Sequence, residues 1–145
     1  MVAEVAAIVM YLAERVPEKR LAPAFGSAER GPYCRWLLFL AGPLEAVLTA
    51  KQAGALASPT MAGYGADGDV VRVLEQAVSG VTHLAGDHFT AADLLMTAYL
   101  GFYMQFNLLE RLPAFEAFCA HHATRPAALA ARARDEALIS AQKKG

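Results

Sequence analysis

Charge is scarce in this 145-residue chain: Asp, Glu, Lys and Arg make up 19 % of it, with a net charge of −1. A typical domain carries about 25 % charged residues. Without a basic excess the chain lacks the electrostatic footprint of a nucleic-acid binder, and no nucleic-acid partner is expected. Cysteine is scarce as well. Cys34 and Cys119 form no CxxC pair, which excludes a disulfide framework and a thiolate zinc site. A secretory leader needs positive charge near its start, where this chain has Glu4, so the two thiols are read as reduced, in a cytoplasmic protein. Long apolar runs are also missing. The longest uncharged stretch, Leu94 to Leu109, is sixteen residues and includes Gln105 and Asn107. A membrane span needs about 20 residues, so this stretch is expected to be a buried core helix. Period-2 alternation is absent too, which leaves no candidate strand.

What remains is strongly apolar: 56 % hydrophobic residues, with 31 Ala and 18 Leu against 11 Gly and 7 Pro. That balance favours helix, and the length fits one domain. Helical spacing of Ile8, Tyr11 and Leu12 predicts a first helix over 4–14, stopped by Pro17. Residues 17–30, with Pro23, Gly26 and Ser27, form a linker. Tyr33, Trp36, Leu37, Leu40, Leu44 and Leu48 share one face of a second helix, which Gly42-Pro43 should kink. A loop over 52–68 leads to a third helix over 69–81. Thr90 is a candidate N-cap and Asp93 its reciprocal partner, a capping box with Asp in place of Glu. Phe89 and Leu94 would supply the flanking hydrophobic staple. Helices over 113–123 and 126–138 each open on a proline, which is tolerated in a first turn. The fold class predicted is an all-α bundle of about six helices.

Few residues suggest chemistry. His83, His88, His121 and His122 show no HExxH and no zinc-like spacing, and adjacent His121 and His122 diverge by about 100° on a helix. They read as partly exposed helix and loop residues, with no metal site. Gly63-Tyr64-Gly65 and Gly68 follow no strand, which argues against a phosphate loop. Cys34 reads as a core thiol. Tyr33, Trp36 and Phe39, and then Tyr99, Phe102, Tyr103 and Phe106, recur at three- and four-residue spacing. That pattern fits either core or an apolar pocket with tyrosine hydroxyls as polar handles.

Four segments, in this order, resemble the cytosolic glutathione S-transferases. Residues 4–12, EVAAIVMYL, with Arg15, Pro17 and Glu18, look like the last helix of that family's glutathione-binding half. Leu21-Ala22-Pro23 leading to Tyr33-Cys34-Arg35-Trp36 resembles its domain crossing. Leu84-Ala85-Gly86-Asp87 with Phe89-Thr90-Ala91-Ala92-Asp93 resembles its capping box and staple, the most specific match. Arg125-Pro126-Ala127 resembles the opening of its last helix. The resemblance implies that 1–16 is a remnant of a thioredoxin-like half and that 31–145 is the all-helical C-terminal domain. It implies glutathione as co-substrate, with Glu4 at the γ-glutamyl contact and Val5 in place of the usual serine. An apolar small molecule would be held by Tyr33, Trp36, Leu37, Leu40, Phe102, Tyr103 and Phe106. The family's thiol-activating half, about 80 residues, has no counterpart here. The chain is therefore expected to supply no catalytic residue, and to be a truncated, inactive transferase that forms a homodimer. The alternative from the same resemblance is a stand-alone helical module for dimerisation or protein interaction.

Overall fold

The computed structural model describes residues 1–143, and among them every regular element is helical. Helix α1 (Val5–Arg15) ends at Val16, whose backbone has left the helical region ahead of Pro17, as a residue before proline is biased to do. A short 3₁₀ turn, Pro17–Lys19, follows, and Arg20 leaves it with φ 51°. The next helix is bent rather than broken. α2 (Arg30–Phe39) runs into a π-helical turn (Leu40–Leu44) and on into α3 (Glu45–Gln52). Pro43, which has no N–H to donate, lies inside the widened turn, so the predicted kink at Gly42-Pro43 takes the form of a π-bulge. Counting this bent helix once and leaving out the 3₁₀ turn, the described residues form six helical rods.

α4 (Asp67–Val78) buries Val70, Leu74 and Val78, a stripe at i, i+4 and i+8. It begins and ends earlier than predicted: Ser79 turns out of the helix and Gly80 takes φ 68°, a left-handed C-terminal stop. α5 (Ala91–Gln105) is the centre of the bundle and packs against α1, α2 and α6. It buries Ala91, Ala92, Leu95, Met96, Leu100 and Met104, and Asn107 at φ 56° follows its last turn. α6 (Pro113–Ala123) and α7 (Pro126–Gln142) open on their prolines as expected. α6 adds Phe115 and Phe118 to the core, whereas α7 buries no residue.

Two expectations about faces change. The predicted apolar face of α1 (Ile8, Tyr11, Leu12) points outward and leaves all three exposed; Ala6 and Ala13 are what α1 buries. Alanines let the helix approach α5 and α2 closely, and the larger side chains are displaced to the free side. The predicted staple also changes partner. Leu94 stays exposed, while Phe89 packs on the ring of His122 (centroids 5.2 Å apart) and under the Arg125 guanidinium at 3.4 Å.

Candidate functional site

The capping box organises the middle of the molecule. Thr90 and Asp93 bond reciprocally across the first turn of α5. The Thr90 N–H donates to Asp93 Oδ2 at 2.7 Å and its hydroxyl donates to the same oxygen at 2.9 Å. Asp93 Oδ1 accepts the Leu84 N–H at 2.7 Å, which fixes the preceding loop. The Ala91 N–H donates to the Leu21 carbonyl at 2.8 Å and ties the connector to the same point. In that loop Gly86 has φ 94°, a left-handed backbone that favours glycine, and a side chain there would have to displace the exposed Glu29 side chain.

Two concave regions flank this frame. The larger, about 820 Å³, lies between the end of α1, the connector and residues 86–88. Several of its polar groups are tied to one another. Arg30 bonds Glu14 and the Pro23 carbonyl, and His88 bonds Asp87 and the Arg20 carbonyl. This is the joint between α1 and the bundle. The smaller, about 370 Å³, is lined by Val5 of α1, Glu45 of α3, and Ala98, Tyr99, Phe102 and Tyr103 of α5. It is an apolar cavity with three convergent aromatic rings and one carboxylate, the composition expected of a small-molecule site. Tyr99 and Tyr103 meet edge-on with centroids 5.7 Å apart, and Phe102 packs on Tyr103 at 5.6 Å.

The Tyr99 hydroxyl donates to Glu45 Oε1 at 2.8 Å. Burial, reinforced by that bond, pushes the Tyr99 phenol well above its ordinary range. Burial also raises Tyr103, with the Glu45 charge adding to it. Both phenols are therefore donors at neutral pH. Glu45 brings negative charge to the cavity, which disfavours a second anion such as a thiolate beside it.

The structure divides the residues expected to line a pocket. Phe102 and Tyr103 line the cavity. Phe106 packs on Phe102 at 4.7 Å but is exposed beyond it. Tyr33, Trp36, Leu37 and Leu40 do not line it; they are buried in the core. Periodicity identified their common face correctly, but that face meets α5 rather than an opening. Glu45, Tyr99, Val5 and Ala98 complete the lining and were not in the expected set. Tyr99 was visible in the aromatic spacing, whereas nothing in the sequence joins Glu45 to it. Glu4 caps α1 with φ 68° and ψ 124°, a strained backbone for a residue with a side chain, and makes no side-chain capping bond. Cys34 and Cys119 are free and half-buried. The histidines also divide. His121 is exposed, but His122, expected to be partly exposed, is 1 % exposed, because it faces the capping box from α6.

No protein-family model and no curated protein matches the sequence. Solved structures do. A sphingomonad glutathione S-transferase, complexed with glutathione, matches with a TM-score of 0.68 at 27 % identity over 90 % of this chain. A glutathione transferase from Methylococcus capsulatus matches with a TM-score of 0.71 at 26 % identity over 90 % of this chain. One from Actinobacillus pleuropneumoniae matches with a TM-score of 0.71 at 26 % identity over 92 %. The chain spans 66 % of the length of the first two and 63 % of the third. Its fold is that of a C-terminal, glutathione-transferase-like fragment, all-helical throughout the described residues.

Proposed function

We propose that this chain is the helical, electrophile-binding part of a glutathione-transferase-like protein, with 1–16 the last helix of a thioredoxin-like half, 17–30 the linker and 31–145 the helical domain. The observation that carries this reading is the cavity of Val5, Glu45, Ala98, Tyr99, Phe102 and Tyr103, set in a fold shared with bacterial glutathione transferases. An apolar substrate would lie against Phe102 and Tyr103, with the Tyr103 hydroxyl as the polar handle, since Tyr99 is bonded to Glu45. Glutathione would reach the mouth from the side of Glu4, whose strained backbone fits a ligand contact better than a helix cap. The family places such proteins in the cytoplasm as homodimers, here across the bent helix and α4.

The family reaction requires a glutathione thiolate, since the neutral thiol is a poor nucleophile. At this cavity the fixed charge is Glu45, which opposes the thiolate. Binding and turnover should therefore separate. The chain is expected to bind an apolar aryl ligand, read by quenching of tyrosine and tryptophan fluorescence, without conjugating an aryl halide to glutathione. Phe102→Ala should weaken that binding by about tenfold, for the loss of one buried aromatic contact. Clear turnover by the chain alone, or unchanged binding in Phe102→Ala, would defeat this reading.

A further inference from the structure

A separate cluster lies at the other side of the start of α5. Asp93 is wholly buried, and among the described residues no Lys or Arg lies within ion-pairing distance of it. Its nearest basic atom is His83 Nδ1, 4.0 Å from Oδ2. Three donors, the Thr90 N–H and hydroxyl and the Leu84 N–H, occupy three of the carboxylate's roughly four acceptor positions, and one stays open on Oδ1. His122 faces the same carboxylate from α6. Both of its ring nitrogens are buried without a hydrogen-bond partner, and so is Nδ1 of His83. The Thr82 main chain is beside the His122 ring but not in hydrogen-bonding geometry. The His83 and His122 rings lie 5.5 Å apart, and one ligand atom from each of His83, Asp93 and His122 falls within 4.8 Å of the others.

Buried imidazole nitrogens are ordinarily satisfied, and a buried carboxylate ordinarily has a counter-charge. A metal dication answers both requirements at once. We propose that His83, Asp93 and His122 hold one transition-metal dication of the zinc class, which pins the 79–90 segment to the start of α5 and the end of α6. Two imidazole nitrogens and one carboxylate oxygen suit zinc or cobalt, whereas calcium and magnesium take oxygen ligands. Ligands at about 2.0–2.2 Å from a metal lie closer together than this cluster does, so binding draws the set in by about 1 Å. The loop residue His83 is free to make that movement, and its exposed side admits a water as fourth ligand. Arg125 is held on the Phe89 ring and the His122 carbonyl.

The test uses the full chain, stripped with a chelator and titrated with Zn²⁺ by calorimetry and with Co²⁺ by visible absorption. The expected result is one equivalent bound, the d–d absorption of four- or five-coordinate cobalt, and a Tm raised by several degrees. His83→Ala, in a loop and checked for folding by circular dichroism, should weaken binding at least about 100-fold, more than an outer-shell change does, and abolish the Tm rise. His122→Gln should do the same. His88→Ala, whose ring is bonded to Asp87 and the Arg20 carbonyl and is no member of the cluster, should bind as the wild type does. Absence of a stoichiometric site in the wild type, or full affinity in His83→Ala, overturns the proposal and leaves the 4.0 Å approach of His83 to Asp93 as a contact without a metal.

Discussion

Tyr33 shows what a single buried polar atom does. Its ring is wholly buried, and its hydroxyl has no hydrogen-bond partner. Burial pushes the phenol up to about 12, with the Arg30 charge working against it. An acid raised in the folded state favours folding while it stays neutral. That contribution is intact below the unfolded value of about 10 and is lost as pH climbs from there towards the folded value. Tyr33→Phe removes the unpaired hydroxyl and keeps the ring. It should be within about 1 kcal/mol of wild type at neutral pH, or more stable, and should gain further at about pH 11. Urea denaturation at the two pH values measures both; a loss above 2 kcal/mol at neutral pH would mean that the hydroxyl has a partner.

Among the elements, the bent helix is the most instructive. Gly42 lies in the π-helical turn with open space where a side chain would be, and it has no left-handed backbone. Gly42→Ala should therefore stabilise the protein by about 0.5–1 kcal/mol through helix propensity alone, read as a rise in Tm. If it destabilises, the turn needs the freedom of glycine to pass Pro43. Much at this scale was legible in the sequence because the signals are local: the Thr90–Asp93 box, the prolines opening α6 and α7, and the bend at Pro43 each act within a turn. What was not legible depends on what a face meets. Tyr33, Trp36, Leu37 and Leu40 share a stripe whether it faces core or cavity. His83 and His122 converge only because α6 folds back over the start of α5, and Glu45 reaches Tyr99 only through the bend. Spacing along the chain carries none of these meetings.

For the whole molecule, the excess of apolar residues now has a place. Val5, Ile8, Tyr11 and Leu12 on α1, with Phe102 and Phe106 on α5, are exposed at 38–58 %. Exposed apolar groups on this scale mark a surface that takes a covering partner. At micromolar concentration the chain is expected to be a dimer or larger by light scattering, joined across the bent helix and α4, and Ile8→Glu with Leu12→Glu should leave that mass unchanged while lowering the binding of a hydrophobic dye to the α1–α5 band. A monomer that binds no dye would show that the chain rearranges to cover this band itself.

The Thr90–Asp93 box has a consequence in time as well as in space. It joins residues three apart, whereas the Ala91 bond to Leu21 reaches back to the opposite end of the chain. Local closure costs less entropy than distant closure, so α5 can start before the connector docks. Asp93→Asn should then slow refolding from urea, while Leu21→Ala, which keeps the carbonyl but strips the side chain that packs the connector on the core, should chiefly speed unfolding. Stopped-flow rates that changed only on the unfolding side for Asp93→Asn would make the box a late lock rather than an early start. As an early start, the bond network that closes the finished fold is also the one that begins it.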